Sequence, residues 1–297
     1  MSKLSTDLVF KNYADSDYDA LCNFLIAINE NDDSHINWNW ARFEWMIEHP
    51  EFDKNLKNSI GIWTADDKIV GAAIYDMYFG EGFCGVLAEY KELYPIVVEY
   101  ACKELRDDSG FGLAICDENA DEAEMVKSLG FAISGQGETI MERNLNDNLR
   151  AELPGGLKFF CPDPVEDAYD LQWLFWQGFD HGGDKAEFER EEEIIPRVRK
   201  HFNKDLGVAV VNQKGEMVAC CLLWYMAGTD YVYVEPVCTI PPYRGKGVAK
   251  AVIFEALCRA KKLGAKRAYV ISDMEFYERL GFRKKYHYSF YFRKDGK

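Results

Sequence analysis

The sequence lacks several patterns that would assign it to a well-defined class. Its nine cysteines include no Cys-x-x-Cys pair and no metal-finger spacing, and its five histidines form no His-Glu-x-x-His pattern. No Gly-x-Ser-x-Gly nucleophile elbow occurs. No apolar run approaches the roughly 20 residues that a membrane span needs, and the first residues form no signal-peptide core. We therefore predict a cytoplasmic protein with reduced thiols, no bound metal and no membrane partner.

Positive charge is scarce as well. The chain has 35 Lys and Arg against 50 Asp and Glu, a net charge of −15. This balance argues against a nucleic-acid binder, because phosphate contacts supply most of that affinity. The deficit is uneven, since residues 1–150 carry 12 basic and 29 acidic side chains and residues 151–297 carry 23 and 21. From Thr239 onwards the count is 15 basic against 5 acidic, so an anionic ligand is expected there.

The length of 297 residues favours two domains. Two segments about 150 positions apart resemble each other: residues 59–75 and 206–222 both read as strand, turn and strand. Further on, residues 126–131, ending in Leu-Gly-Phe, correspond to residues 277–282 with the same ending. These landmarks occur in the same order, which predicts two copies of one fold.

A segment rich in Asn, Pro and Gly separates the two copies, as is typical of a linker. We predict domains at residues 1–148 and 157–297, joined by a linker at residues 149–156. Each copy reads as helices, a hairpin, a strand, a long helix, a strand, a helix and a strand. That order predicts an α/β fold of the α+β type with a mixed sheet.

The most informative segment begins with a β-branched, aromatic strand at residues 231–240 and ends with a helix that stops at Gly264. Between them, Gly245 and Gly247 remove side chains where the backbone must approach a ligand closely. Successive N–H groups at the helix start, with nearby Arg and Lys side chains, are typical of a pyrophosphate pocket.

Two other phosphate motifs do not fit this turn. It lacks the Gly-x-x-x-x-Gly-Lys-Ser/Thr pattern of a P-loop, and Lys250 occupies the last position of a Gly-x-Gly-x-x-Gly pattern. The latter pattern does occur at residues 80–85, but it follows a hairpin and contains Glu81, which would face a phosphate. We therefore expect residues 80–85 to form a loop that binds no dinucleotide.

The second copy resembles the GNAT superfamily of N-acetyltransferases. The resemblance rests on Arg244-Gly-Lys-Gly-Val-Ala249, which is similar to the family signature Arg/Gln-x-x-Gly-x-Gly/Ala, and on residues 276–282, which resemble its second motif. The first copy looks like a degenerate version. The resemblance thus implies two tandem GNAT-like acyl-CoA N-acyltransferase domains with acetyl-CoA as cosubstrate.

The resemblance also implies roles for individual residues. Backbone groups of the strand would bind the pantetheine arm and the thioester, and those of the turn the pyrophosphate. The implied acetyl-CoA-binding residues are Val237, Cys238, Thr239, Arg244, Gly245, Lys246, Gly247, Val248, Ala249 and Lys250. Tyr277 matches the family position that protonates the departing thiolate, although it also suits simple packing beside Phe276.

Glu235 resembles a position that is often acidic in the family and would act as the general base. A solvated carboxylate at a strand edge is the alternative. The Glu235-Pro236 pair also suits a β-bulge, which would separate the strands and open a cleft for the thioester.

The first copy lacks the signature. Residues 86–95 occupy the corresponding position without a glycine pair and with extra carboxylates, and Val126 stands where Tyr277 stands in the second copy. We predict that this copy has no CoA site and either shapes the acceptor site or is only structural.

The leading functional hypothesis is transfer of an acetyl group from acetyl-CoA to a primary amine, directly within a ternary complex. Cys238 is not expected to act as a nucleophile, because its neighbours on the strand face the other way. The acceptor would be a small-molecule or peptide amine, and the protein a monomer or homodimer. A non-catalytic acyl-CoA-binding module or sensor is the alternative, and a scaffold that has lost the cofactor in both copies is a third.

Overall fold

The computed structural model describes residues 8–49, 51–194, 200, 201 and 203–294. These residues divide into two compact units. The first unit contains the chain up to Ile140, Ile271–Asp273 and the residues from Lys284 on, and the second contains Met141–Val270 and Met274–Arg283. This division differs from the predicted bounds 1–148 and 157–297, because the end of the chain belongs to the first unit.

The first unit combines four helices with a sheet. Its helices are α1 (Tyr18–Ala27), α2 (Trp40–Ile47), α3 (Tyr94–Glu104) and α4 (Ala120–Ser128). Its strands are β1 (Val9–Asn12), β2 (Gly61–Ala65), β3 (Lys68–Asp76), β4 (Tyr78–Val86), β5 (Gly110–Cys116) and most of β6 (Ala132–Asn144). The last strand of the chain, β12 (Arg283–Lys294), lies between β5 and β6 in the order β1-β2-β3-β4-β5-β12-β6.

The second unit repeats this plan. Its helices are α5 (Ala168–Gly178), α6 (Lys185–Glu191), α7 (Val248–Lys262) and α8 (Glu275–Arg279). Its strands are β7 (Lys158–Phe160), β8 (Gly207–Val211), β9 (Met217–Trp224), β10 (Tyr231–Thr239) and β11 (Arg267–Ile271). They follow in the order β11-β10-β9-β8-β7, and the last residues of β6 also belong to this unit.

Strand directions are the same in both units. Strands β1 to β4 pair antiparallel in sequence, and β4 then pairs with β5 in parallel. Strands β7 to β10 pair antiparallel in the same way, and β10 then pairs with β11 in parallel. A parallel pair needs a crossover, which α3 supplies in the first unit and α7 in the second. The repeated plan confirms the predicted fold class, a mixed α/β fold in two copies.

The prediction of a loop at residues 80–85 is wrong, because these residues lie inside strand β4. Its glycines serve close packing instead. A Cβ atom at Gly82 would lie 2.1 Å from the carbonyl oxygen of Ile74 on the neighbouring strand, and one at Gly85 would lie 2.4 Å from the Phe83 ring. Glycine at these positions therefore reflects the crowded surface of a buried strand.

The core of the second unit forms where helices cover its sheet. Helix α5 packs on β9 and β10, and α7 packs on β8, β9 and β10. The buried residues of α7 recur at helical spacing, as in Val248, Val252 and Ala256, so one face of the helix enters the core. The helix is followed by Gly264, whose φ is +106°. None of the helices within the described ranges is long and apolar enough to span a membrane.

Candidate functional site

Strand β10 has one edge that opens partway along its length. Its parallel register with β11 covers Tyr231, Val232 and Tyr233. The antiparallel register with β9 then shifts between Val234 and Val237, at the Glu235-Pro236 pair. The predicted bulge is therefore confirmed. Beyond it the strand follows β9, and its other edge leaves the parallel register.

Backbone groups beyond the bulge face that edge. The N–H of Ile240 donates to the carbonyl of Val218 on β9 at 3.0 Å. Along an antiparallel strand, the backbone N–H and carbonyl groups of successive residues point to opposite edges. The backbone groups of Cys238 therefore also point to β9, and those of Val237 and Thr239 point to the opposite edge. The Thr239 hydroxyl is also buried and has no hydrogen-bond partner within the described residues. The Thr239 carbonyl accepts from Arg244 Nε at 2.8 Å, so the groups left for a ligand along the strand are the backbone of Val237 and the N–H and hydroxyl of Thr239.

Cys238 points away from this edge. Its side chain is 5% exposed and packs against the other face of the sheet, with its Sγ 3.7 Å from the Sγ of Cys220. A Cβ atom at Gly178 would lie 2.7 Å from this thiol, so helix α5 approaches it closely. Among the three strand residues that were predicted to bind the cofactor, Cys238 thus directs both its backbone and its thiol elsewhere.

The glycine turn leads from β10 into helix α7. Gly245 has φ +71° and Gly247 has φ +80°, and Gly247 is the N-cap of α7. A Cβ atom at either position would meet no atom within 4 Å. The glycines are therefore not required by crowding within the protein. They give left-handed backbone geometry and leave open space beside the N–H groups at the start of α7, an arrangement suited to an anion.

Arg244 anchors this turn to the rest of the unit. Its Nε donates to the Thr239 carbonyl at 2.8 Å, and its Nη2 donates to the Gly178 carbonyl at 2.8 Å. Its guanidinium also forms an ion pair with Asp180 at 3.0 Å. The sequence predicts Arg244 to bind the cofactor, whereas the structure directs its side chain to strand β10 and to the end of helix α5.

We expect Arg244→Met to act through position rather than through direct loss of a ligand contact. Removing the three interactions should lower the free energy of unfolding by about 1–3 kcal/mol. It should also raise the KM for an acyl-CoA roughly tenfold, because the turn loses its anchor. Thermal unfolding and steady-state kinetics check both effects. A raised KM at unchanged stability would instead indicate that Arg244 touches the ligand.

The two lysines of the turn remain exposed. Lys246 Nζ lies 5.6 Å from the centre of the Tyr243 ring, and Lys250 Nζ lies 5.5 Å from the centre of the Phe254 ring. Val248 is buried and Ala249 is half-buried in the first turn of α7, so these two can offer backbone groups only. The predicted residues of the turn are therefore brought together around the N-terminus of one helix.

Tyr277 and Glu235 lie in one electrostatic neighbourhood. Tyr277 on α8 is 8% exposed and packs edge-to-face against Phe276 and Phe282, with ring centres 5.1 and 5.5 Å apart. Burial raises the pKa of Tyr277, and the nearby Cys221 and Glu235 raise it further. Its hydroxyl forms no hydrogen bond with any described residue. The Tyr277 ring therefore packs beside Phe276, as in the alternative role, while its hydroxyl can still donate a hydrogen bond.

Two neighbours of Glu235 were missed by the sequence analysis. The indole N–H of Trp224 donates to the Glu235 carbonyl at 2.7 Å, across the bulge from strand β9. Cys221 lies opposite Val237, and burial together with Glu235 raises the pKa of its thiol. The hairpin pattern predicts the strand that contains Trp224 and Cys221, but it does not predict how that strand is aligned with β10. That register depends on the bulge, which changes which residues lie opposite each other.

The corresponding region of the first unit has a different chemistry. The segment that replaces the glycine turn forms a 3-10 helix at Ala88–Leu93. The hydroxyl of Tyr94 donates to Glu122 at 2.6 Å, and His35 Nε2 lies 3.2 Å from the same carboxylate. Val126, at the position of Tyr277, is fully buried. An internal hydrogen-bonded group thus takes the place of a phosphate-binding turn.

We expect the contribution of His35 to stability to depend on pH. Burial lowers the pKa of His35, but Glu122 and Asp32 outweigh it, so the pKa is raised above 6.5. The ion pair therefore stabilises the fold fully below pH 6.5, and its contribution is lost as pH rises through the raised pKa. Urea unfolding of wild type and His35→Gln across this range should show their difference shrinking with pH. A constant difference would contradict the expectation.

Within the parts of the chain that the structure describes, no group of three or more His, Cys, Asp or Glu side chains is arranged to hold a metal ion.

Comparisons with known proteins give one family match and several similar folds. The model of the acetyltransferase (GNAT) family matches residues 165–282. A GCN5-related N-acetyltransferase from Sphaerobacter thermophilus superposes with a TM-score of 0.60 at 15% identity, covering 98% of this chain and 97% of that one. A tandem GNAT protein from the clavulanic acid biosynthesis pathway gives 0.63 at 13%, covering 98% and 99%. Saccharomyces cerevisiae N-myristoyltransferase with bound myristoyl-CoA gives 0.54 at 15%, covering 99% and 80%.

Proposed function

We propose that this chain is an acetyl-CoA-dependent N-acetyltransferase, because the model of the acetyltransferase (GNAT) family matches residues 165–282 and the fold is similar to that of a tandem GNAT protein. It would transfer the acetyl group directly to a primary amine in a ternary complex. The active site would lie in the second unit. The first unit, in which a 3-10 helix at Ala88–Leu93 replaces the turn, would bind no CoA.

The observation that carries the proposal is the pairing of Glu235 and Tyr277 beside the open edge of β10. Glu235 is half-buried in the bulge, and it raises the pKa of Tyr277 together with Cys221. A half-buried carboxylate beside a buried phenol whose pKa is raised suits a base and an acid acting on the same reaction.

The backbone of β10 would orient the thioester. Polar groups of Val237 and Thr239 face the edge that β11 leaves, and the Thr239 hydroxyl is buried without a partner among the described residues. A pantetheine arm carries amides that match such groups. An N–H aimed at the thioester carbonyl would stabilise the negative charge that develops there during transfer.

The glycine turn would hold the pyrophosphate. A Cβ at Gly245 or Gly247 would enter open space, which fits a ligand lying directly against the backbone. The N-terminus of α7, a helix of 15 residues, supplies N–H groups and a positive dipole end. Lys246 and Lys250 would add positive charge from exposed positions.

Two proton transfers would complete the reaction. Glu235 would accept a proton from the acceptor ammonium, directly or through water, so that the amine can attack the thioester carbon. Tyr277 would donate its proton to the sulfur as the carbon–sulfur bond breaks. Its raised pKa keeps the phenol protonated at neutral pH, as a proton donor requires.

The acceptor would be a small-molecule or peptide amine. An acceptor that carries positive charge suits the net charge of −15 of the whole chain.

Calorimetry followed by an amine screen tests the proposal. Acetyl-CoA should bind the full-length protein, and at least one amine in a panel of polyamines, amino acids, aminoglycosides and peptides should then release free thiol. Glu235→Gln should reduce this release without weakening acetyl-CoA binding. Binding without turnover on any amine would favour a non-catalytic acyl-CoA sensor, and an absence of binding would exclude both functions.

A further inference from the structure

Arg143 is a largely buried cation that forms no ion pair with the residues that the structure describes. It lies near the end of β6, in the part of that strand that belongs to the second unit, and it is 6% exposed. Its guanidinium carbon lies 5.0 Å from the centre of the Phe254 ring on α7. Its Nε is fully buried, and the side chain forms no hydrogen bond or ion pair with any described residue. A buried charge left in this state costs free energy, so the position calls for an anion.

The surroundings of Arg143 hold charges of both signs. Lys250 Nζ lies 5.5 Å from the centre of the same Phe254 ring. Burial has the largest effect and lowers the pKa of Arg143, Asp147 raises it, Arg283 lowers it again, and the net shift is downward. The nearby carboxylate therefore does not offset the burial and the second arginine.

The motif glycine after α8 makes room for this side chain. Gly281 has φ +87°, and a Cβ atom built there would lie 2.0 Å from Nη1 of Arg143. No side chain at position 281 could coexist with the guanidinium where it stands. The glycine of the second motif therefore fixes Arg143 next to helices α7 and α8.

The first unit contains a matching arginine that does have a partner. Arg293 lies 150 positions after Arg143 at the end of β12, stacks on Phe131 at 5.9 Å and donates to the Leu129 carbonyl. It also forms two hydrogen bonds to Glu99 of α3, at 2.6 and 3.0 Å. In the second unit, α7 presents Phe254 and Lys250 to Arg143 rather than a carboxylate. Among the described residues, no carboxylate forms an ion pair with the arginine in the copy that carries the glycine turn.

We propose that Arg143 and Lys250 bind the 3′-phosphate of the acyl-CoA, an inference that rests on the proposed function. Phe254, which both cations contact, lies six residues after Val248, about 9 Å along the axis of α7. The pyrophosphate would occupy the start of this helix, and the 3′-phosphate is attached to the ribose that follows it. A phosphomonoester at this point would supply the charge that Glu99 supplies in the other copy.

The wild-type protein tests this without any substitution. Calorimetry should give a dissociation constant about ten- to a hundredfold lower for CoA than for 3′-dephospho-CoA. Equal constants would overturn the inference and leave the proposed function standing, whereas failure of both ligands to bind would overturn both. Stabilisation by inorganic phosphate, with equal constants for the two CoA forms, would assign the site to a free phosphate and likewise overturn the inference.

Variants test the residues themselves. Arg143→Gln should weaken CoA binding to the level of 3′-dephospho-CoA and leave the affinity for 3′-dephospho-CoA unchanged. The control is Arg150→Gln, which removes an exposed arginine of the same unit and should preserve the preference for CoA. Equal weakening of both ligands by Arg143→Gln would mean a structural role and overturn the inference. If that variant does not fold, Lys250→Gln should reduce the preference, and an unchanged preference would overturn it.

Discussion

Tyr277→Phe should lower kcat for acyl transfer by about 100- to 1000-fold and leave the KM for acetyl-CoA nearly unchanged. The substitution removes only the hydroxyl. The ring keeps its edge-to-face contacts with Phe276 and Phe282, so the packing of α8 should survive. The loss is expected in kcat because a proton donor for the departing thiolate acts in the transition state, not in binding. Thiol release at saturating substrates measures it.

Tyr225→Phe is the matched control, because it also removes a phenolic hydroxyl. That hydroxyl donates to the Leu263 carbonyl, at a distance of 3.0 Å, just after the end of helix α7. This variant should retain wild-type kcat. Because burial, Cys221 and Glu235 raise the pKa of Tyr277 above the ordinary 10.0, the phenol stays protonated as pH rises towards 10.0. The wild-type rate should therefore not fall in this range through loss of that proton. A Tyr277→Phe enzyme with full turnover would show that another group is the acid.

Gly247→Asp should raise the dissociation constant for acetyl-CoA by about a hundredfold while the protein stays folded. The new carboxylate would enter the open space beside the N–H groups, where the pyrophosphate is proposed to bind. Stability should be nearly preserved for two reasons. Aspartate tolerates left-handed backbone geometry better than most residues, and a carboxylate at a helix N-terminus is favourable. Calorimetry and thermal unfolding measure the two quantities separately.

Gly228→Asp controls for the backbone. Gly228 belongs to the same unit, has φ +100° against +80° at Gly247, and a Cβ atom there would likewise meet no atom within 4 Å. It lies in the loop between β9 and β10. The control should therefore carry the same strain and added charge but bind acetyl-CoA like wild type. If both variants lose affinity equally, charge or strain alone accounts for the effect, and the pyrophosphate does not lie at the turn.

Much of the fold could be predicted because its signals are local. Residues 59–75 and 206–222 both became hairpins, and the Glu235-Pro236 pair became a bulge. Alternating apolar residues and turn residues determine structure over a few positions, so a single sequence is enough to predict these elements. The Gly-x-Gly-x-x-Gly pattern at residues 80–85 failed for the complementary reason. Whether a glycine serves a turn or close packing depends on a neighbouring strand, here through Ile74.

The site was predictable where chain order sets its geometry, and not where distant segments meet. The glycine turn follows directly from a strand that leads into a helix. The anchoring of Arg244 depends on Gly178 and Asp180, more than 60 positions earlier, and nothing in either segment indicates the pairing. Arg143 is harder still, because it lies within the predicted first copy, residues 1–148, yet belongs to the second unit. Periodicity predicts a strand there but does not indicate which unit the end of that strand joins.

The position of β12 has a consequence for synthesis of the chain. A ribosome that has released residues 1–282 has made every strand of the first unit's sheet except β12, which lies between β5 and β6. The first unit, although encoded first, therefore completes its sheet only after β12 has been made. A gene fragment ending after the first copy would leave the edges of β5 and β6 unpaired, and such edges invite pairing with other chains. The second unit likewise includes the end of β6, which is encoded within the first copy. Neither half of the gene therefore encodes all the strands of one unit.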